Sequence, residues 1–504
     1  MAVRLISAKF QGRDIPLSID GPGIDPKSNI FTVLIGRNGV GKSRLLASIC
    51  DAFNWPAPSQ RLNPGGPPKI NKRITIRYIK DDRVISIDHK RVLTDASGGV
   101  LRKESVKSAK PMKVIATTIT PFDRFPIFEV DGLDRDNLDP RFDTKDNVYI
   151  YLGAKDRNGG FSPFYRSKQI IRSLLGVAAA ADDRRGGLAH VFDLLDYHPI
   201  VRLSYMFTEM EEESRSAYET LDTFISNMKD KSGKPRLVGS NVGERMDDYM
   251  NKFPDREADV RLAWHSMFVD SAAGTGPVEL EYDFSNSNFT IGSALMYEQI
   301  SLLEAAGMRT HFEVALSKRR HENKYLGVDD ASSGEQAVVL VVLGIASQIS
   351  DDSLIIIDEP EIGLHPEWQA RYLDLLNNTF MGYKGCHFLL ATHSPQIVAQ
   401  IRGNGFVVSM DDVPSIESSK EYSKRSADFQ LARLFDAPGF RNEYLAREAM
   451  TALMQINRNQ SETTDFESRF EILSNVRGLL SDDDPVAEMI DAVTTAYELR
   501  KDRG

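Results

Sequence analysis

The chain has 504 residues, of which 41% are hydrophobic and 27% charged. That is a globular composition, and the length exceeds what one hydrophobic core usually serves. A net charge of −10 argues against a surface coated for nucleic acid, and no apolar run approaches the ~18 residues needed to cross a bilayer. The start MAVRLISAKF carries no secretory signal pattern, and two cysteines, Cys50 and Cys386, supply neither a disulfide framework nor a zinc site, so a cytoplasmic protein without membrane association is expected.

In chain order, alternating or fully apolar segments predict strands at Val3 to Ala8, Ile15 to Ile19 and Phe31 to Ile35. A helix at Arg44 to Ile49 follows, and then Arg73 to Ile79 and Val84 to Ile87 form a hairpin turned at Asp81-Asp82. Further strands are expected at Lys113 to Thr118 and Val148 to Leu152. Between 61 and 113 stand 14 Lys/Arg against 5 Asp/Glu. Such a lobe either docks a polyanion or acidic partner, or simply exposes solvated hairpin faces. From 163 to 275 the pattern is charged and helical, broken at Arg184 to Gly187 and Ser232 to Pro235, and it reads as a helical insertion. Strands return at Val278 to Tyr282 and His311 to Leu316, and the tail from 440 to 504 is helical, with Ser481 to Asp484 capping the last helix.

Four motifs carry chemistry. GRNGVGKS at 36–43 fits G-x-x-x-x-G-K-S directly behind an apolar strand and ahead of a helix. Gly36, Asn38, Gly39, Gly41, Lys42, Ser43 and Arg44 are the candidate phosphate binders: backbone N–H groups wrap phosphate oxygens, Lys42 reaches the β and γ phosphates, and the Ser43 hydroxyl ligates Mg²⁺. LIIIDEP at 354–360 ends a buried strand in two carboxylates, Asp358 for Mg²⁺ and Glu359 to orient or deprotonate an attacking water. A strand ending in a helix-capping acidic turn is the structural alternative. ASSGEQ at 331–336 opens an apolar helix; Ser332, Ser333, Gly334 and Glu335 present N–H groups and a hydroxyl to an anion, and the Ser332/Glu335 spacing also fits a plain capping box. In LLATHS at 389–394, His393 stands at a strand end, suited to contact a γ-phosphate.

In this order the motifs resemble those of the ABC-type ATPase superfamily, in the branch containing SMC, RecF and OLD-like ATPases. The resemblance implies an α/β fold: a two-lobed P-loop ATPase head with a helical insertion and a helical C-terminal tail. The implied division is 1–162 for the first part of the head, 163–275 for the insertion, 276–439 for the second part and 440–504 for the tail. It further implies ATP and Mg²⁺ as cofactors and an ATP-sandwiched dimer, extending to higher oligomers. In that dimer Ser332 and Gly334 of one copy face the γ-phosphate on its partner, Glu361 to His365 form the D-loop, and Lys42, Glu359 and His393 serve catalysis. Ser333 stands where SMC proteins usually have glycine, and Thr118 to Arg124 offers no glutamine for the Q-loop. About 290 residues between phosphate loop and signature are too many for a transporter head, and no sustained heptads form an arm.

No Toprim-type acidic set follows residue 410, and the phrases TTITPFDRFP, VYIYLGAKD and APGFRNEYLAREA resemble PtuA-like ATPases of Septu and retron-linked anti-phage systems. The expected function is therefore slow, dimer-dependent ATP hydrolysis that regulates a separate nuclease effector, such as an HNH or Toprim protein, with DNA or another nucleic acid as a further partner. A RecF- or SMC-like DNA-repair ATPase and a nucleotide-stabilised scaffold with little hydrolysis are the alternatives.

Overall fold

The structure is a computed structural model that describes residues 2–19, 25, 27–53, 74–90, 92–101, 109–120, 123–126, 148–153, 187–207, 220–227, 242–269, 278–285, 299–300, 302–308, 310–319, 325–327, 330–401, 403–411, 413–422, 425–458, 460–461 and 463–501. Expectations resting on Arg73, Pro121, Phe122, Arg184 to Gly186, Ser232 to Pro235 and eight of the fourteen basic residues between 61 and 113 lie outside the described residues.

The strands expected from period and apolarity form, within a few residues of their predicted ends, and others join them. In chain order the strands are β1 (Val3–Phe10), β2 (Arg13–Pro16), β3 (Ile30–Ile35), β4 (Ile74–Lys80), β5 (Arg83–Asp88), β6 (Leu93–Asp95), β7 (Val114–Thr118) and β8 (Tyr149–Leu152). After them come β9 (Tyr197–Phe207), β10 (Val278–Asp283), β11 (Thr310–Lys318), β12 (Tyr325–Gly327), β13 (Leu354–Asp358), β14 (His387–Ala391), β15 (Gly405–Ser409) and β16 (Ser415–Ser418). Of these, β6, β9, β12, β15 and β16 were not expected from the sequence. A seven-stranded sheet runs in the order β16-β15-β3-β14-β13-β7-β8, all parallel except the edge strand β16. An antiparallel sheet of order β2-β1-β4-β5-β6 and another of order β10-β9-β11-β12 pack around it. The β4–β5 turn at Asp81 and Asp82 has φ of 53° and 62°, the two positive values that a hairpin turn matching strand twist requires.

β13 shows why the central sheet sits where it does. All five residues are buried, and alternate side chains enter opposite cores. Leu354 and Ile356 pack with helix α1 (Lys42–Phe53) and the β1–β4–β5 face, while Ile355 and Ile357 pack with a long apolar helix and the β9 sheet. Burying one such side chain contributes about 1.5–3 kcal/mol, so a strand apolar on both faces is stable only between two layers.

The stretch expected to be a helical insertion needs correction. Helices α2 (Ala189–Leu194), α3 (Leu221–Asn227), α4 (Val242–Lys252) and α5 (Glu257–Trp264) do lie there, but so does the eleven-residue β9. Tyr197, Val201, Leu203 and Phe207 are its buried positions, and β9 pairs with β10 and β11 beyond residue 275. One sheet therefore spans the expected boundary at 275/276. Around it stand α6 (Ser333–Gln348), the short α7 (Pro366–Gln369), α8 (Tyr372–Phe380) and α9 (Pro395–Ala399). The tail is helical as expected: α10 (Ala427–Leu434), α11 (Glu443–Asn457), α12 (Thr464–Arg477) and α13 (Pro485–Lys501) enclose their own core, and Asp484 accepts the Val486 N–H at 2.9 Å ahead of the last helix. Among the described residues no helix is long and apolar enough to cross a membrane.

Candidate functional site

Parallel strands place all their carboxyl ends at one edge, where α/β folds collect their ligand-binding loops. Here β3, β14 and β13 are neighbours, with Leu34 level with Ala391 and Ala391 level with Asp358. Three loops from distant parts of the sequence thus emerge side by side: the loop at 36–43, the turn after Asp358 and the segment at Thr392 to Ser394.

The loop at 36–43 turns back on itself through Gly39 and Gly41, whose φ values of 82° and 110° a residue with a Cβ rarely adopts. It is also clasped from outside. Arg13 donates to Val40 O, Met410 O and Asp411 O at 2.9–3.1 Å, the Arg37 N–H donates to Asp411 Oδ1 at 3.0 Å, and the Arg37 guanidinium reaches Asp436 Oδ2 at 2.9 Å. Arg44 folds over the loop and donates to Gly39 O at 3.0 Å, leaving Asn38 exposed at the tip.

Lys42 begins α1 and is only 5% exposed. Its Nζ donates to Gly36 O at 2.8 Å and stands 2.7 Å from His393 Nε2. An ammonium has no lone pair, so Nε2 is the acceptor and the imidazole is neutral with its proton on Nδ1. Burial lowers the pKa of both groups; nearby Glu359, Asp358, Glu361 and Asp411 partly offset this for Lys42, and the charge of Lys42 adds to it for His393. Ser43 Oγ donates to Asp358 Oδ1 at 3.1 Å. Burial pushes the Asp358 carboxyl up to about 7 against that hydrogen bond, with Glu359, Asp123 and Glu361 adding repulsion. A desolvated carboxylate among other acids and beside a hydroxyl is an arrangement that a divalent cation relieves. Among the described residues no group of three His, Cys, Asp or Glu forms a closed metal cage. Ser43 Oγ and the Asp358 carboxylate are hard oxygen donors, which suit a cation such as Mg²⁺ that keeps waters and takes phosphate oxygens.

Glu359 follows β13 with φ of 50°, a left-handed conformation costly for a residue with a Cβ, and its N–H is tied to Ala391 O at 2.9 Å. The turn is thereby bent so that Glu359 is half-exposed beside buried Asp358. Two further carboxylates join the site that motif reading alone did not assign to it. Glu361 reaches back within its own chain, accepting the His393 N–H at 2.5 Å and the Thr392 hydroxyl at 2.8 Å. Asp123, buried in the segment where a Q-loop glutamine was sought, accepts the Tyr151 hydroxyl at 2.7 Å and the Phe125 N–H at 2.9 Å. The DEPE string and the lone acid in PFDRFP were the available signals, but neither says which way the side chain turns.

The Ser332 to Glu335 turn packs on the segment that follows the two carboxylates. Ser332 and Glu335 form the expected capping box, with the Ser332 N–H donating to Glu335 Oε2 at 2.8 Å and the Glu335 N–H to Ser332 Oγ at 3.3 Å. The other Glu335 oxygen meets Tyr197 OH and Lys318 Nζ. Ser333 opens helix α6. Gly334 is required by close approach: a Cβ there would lie 2.5 Å from Gly363 O and 3.1 Å from the Trp368 ring. Ser332, at the outer end, is exposed.

A family profile described as "AAA domain, putative AbiEii toxin, Type IV TA system" matches residues 216–399. That span holds the turn at 332–335, the two carboxylates and His393. The chain is 30% identical over 86 residues to the "Retron Ec83 probable ATPase" of Escherichia coli, covering 15% of this chain and 15% of that protein. It is 26% identical over 102 residues to the "Retron Vc95 probable ATPase" of Vibrio cholerae serotype O1 biovar El Tor, covering 18% and 19%. The matches thus span less than a fifth of either relative's length. Among solved structures, an SMC head domain from Pyrococcus furiosus with an extended coiled coil, bound to the C-terminal domain of ScpA, aligns over 83% of this chain and 97% of its own, with 13% identity and a TM-score of 0.33.

Proposed function

We propose that this chain binds ATP with Mg²⁺ and hydrolyses it slowly, two copies closing around the nucleotide, and that this cycle regulates a separate nuclease effector in bacterial anti-phage defence. The observation that carries the reading is the convergence of Lys42, Ser43, Asp358, Glu359 and His393 at the ends of three adjacent parallel strands. In this reading Lys42 exchanges its contact with His393 for the β and γ phosphates, and His393 takes the γ-phosphate. Ser43 and Asp358 would hold Mg²⁺, which when bound neutralises phosphate charge. Glu359 orients the attacking water, its turn held open by the strained backbone at φ 50°. In this reading Ser332 and Gly334 close on the nucleotide of a second copy. The phrases TTITPFDRFP, VYIYLGAKD and APGFRNEYLAREA resemble PtuA-like ATPases, and the printed names of the two retron relatives support placing the activity in defence, with an HNH or Toprim protein as effector.

Phosphate release, binding of a fluorescent ATP analogue and mass by light scattering, each with Mg²⁺, test the reading on wild type and Glu359→Gln. The expected result is Mg²⁺-dependent binding by both, loss of turnover in Glu359→Gln, and an ATP-dependent doubling of its mass. A wild type that neither binds the analogue nor releases phosphate rejects it. Co-purification of a nuclease from the native operon, with activity that changes with nucleotide, tests the effector.

A further inference from the structure

The carbonyl groups of the loop at 36–43 shape it as much as its N–H groups do. A peptide is planar and trans, so the C=O of one residue and the N–H of the next point opposite ways. Val40 O accepts from Arg13 Nη2 at 3.1 Å, which turns the Gly41 N–H away from Arg13, where it has no acceptor among the described residues. Gly36 O and Gly39 O are held by Lys42 and Arg44 at the start of α1, whereas Arg13 comes from a different sheet. Gly41, at φ 110°, has no Cβ to oppose either orientation of this peptide, so what fixes it must come from outside the loop. Arg13 is brought there by a tight hairpin turn: it pairs with Phe10 across Gln11 and Gly12, whose φ values are 52° and 81°. Its Nη1 donates to Met410 O at 2.9 Å and Asp411 O at 3.1 Å, just past the end of β15, where the Met410 N–H is bonded to Ile35 O at 3.0 Å. One planar guanidinium thus joins three carbonyls from two chain segments, and the fork of its donors, not its charge alone, makes this possible.

We infer that Arg13 is a positioning residue for nucleotide binding: anchored on the end of β15, it locks the Val40–Gly41 peptide in the orientation that offers the Gly41 N–H to a phosphate oxygen. The inference rests on the ATP-binding reading above and adds a residue outside the four motifs that sets the affinity of the loop. Arg13 touches no nucleotide in this scheme, because its hydrogen bonds go to carbonyls. Without it the Gly41 peptide is free to turn over, and the apparent affinity falls by the fraction of chains that still present the N–H; a competent fraction of about one in ten weakens binding about tenfold. The N–H serves the phosphate alike before and during phosphoryl transfer, so its loss raises KM and leaves kcat in place. A lysine at 13 keeps the positive charge but replaces the fork with a single ammonium, which separates orientation of the peptide from simple attraction of phosphate.

The test compares the full chain with its Arg13→Ala and Arg13→Lys variants. Binding of the fluorescent ATP analogue with Mg²⁺ and the KM and kcat of phosphate release are measured, alone and with guanidinium chloride or ammonium chloride at equal millimolar concentration. The expected result is analogue affinity and KM worse by about tenfold or more in both variants, with kcat within about threefold of wild type. Guanidinium should restore the affinity of Arg13→Ala and ammonium should not, since only the planar ion can serve the three carbonyls that Arg13 leaves. Wild-type affinity in Arg13→Lys would show that charge is enough and overturn the inference while leaving ATP binding intact. So would an Arg13→Ala that guanidinium does not rescue, or a fall in kcat at unchanged KM. A wild type that fails to bind the analogue overturns the ATP-binding reading itself. Should Arg13→Ala not fold, Arg13→Lys decides the matter by its affinity and by the split between KM and kcat.

Discussion

His387 offers the sharpest prediction about what holds the central sheet to the β1 sheet. It opens β14 and is fully buried, with Nδ1 accepting the Leu5 N–H from β1 at 3.0 Å and Nε2 lying 2.9 Å from Thr32 Oγ1 in β3. Thr32 already donates its hydroxyl to Leu17 O at 2.7 Å, so Nε2 carries the proton and Nδ1 must stay unprotonated to receive Leu5. A charged ring would set two N–H groups face to face in the core. Burial, with the charge of Arg4 added, lowers its pKa from 6.5 to about 3. Because the folded value lies below the unfolded one, the unfolded chain takes up the proton first as pH falls. The stability is whole above about pH 6.5 and is lost progressively toward pH 3, at about 1.4 kcal/mol per pH unit. At pH 5, one and a half units below the unfolded pKa, the loss is about 2 kcal/mol. The assay is the hydrogen-exchange protection of the β14 amides in wild type and His387→Asn between pH 5 and 7.5, since a chain this long unfolds in more than one step. Asn keeps an acceptor for Leu5 but does not titrate, so it starts less stable and loses less: the gap between the two proteins should narrow by about 2 kcal/mol at pH 5. Parallel curves would refute the reasoning.

Other consequences are as definite. Lys80 and Asp352, only 4% and 7% exposed, pair at 2.8 Å and join β4 to the turn before β13. Lys80→Met should cost about 3–5 kcal/mol in urea unfolding by stranding Asp352, and adding Asp352→Leu should recover much of it. Gly334→Ala forces a Cβ onto the Gly363 backbone oxygen and should lower the melting temperature, at a cost of about 1–3 kcal/mol. Asn442 caps α11 by accepting the Leu445 N–H at 3.0 Å while donating to Pro438 O and Asp428 O. Its change to Ala should lose about 1–3 kcal/mol of tail stability, seen as faster proteolysis of α11 to α13. Lys42→Met should reduce ATP turnover by at least about a hundredfold in a phosphate-release assay, and an unaltered rate would remove Lys42 from the chemistry.

The motif residues were legible because their chemistry is local. A glycine loop behind Phe31 to Ile35, two acids ending Leu354 to Ile357 and a capping pair at Ser332 and Glu335 are each defined within eight or so residues, and the turn, strand end and capping box form where the sequence places them. The helical tail was legible for the same reason, from period and caps. β9 was not: its alternation at Tyr197, Val201 and Leu203 lies between helix-patterned segments, and its hydrogen-bond partners in β10 and β11 begin some seventy residues further on. The basic lobe was misleading in part, because Lys80, counted there as surface charge, is spent inside on Asp352.

By itself, then, the order of residues determined which polar groups stand at the strand ends and which strands deliver them, since apolar period and backbone conformation are properties of short stretches. Only the tertiary structure decided that β3, β14 and β13 stand side by side, that Glu361 turns inward to hold Thr392 and His393, that Asp123 comes near enough to Asp358 to raise its pKa, and that the Ser332 turn rests on Gly363. Those facts depend on strand order and on contacts between residues far apart in sequence, where the direction of a side chain is set by what it packs against.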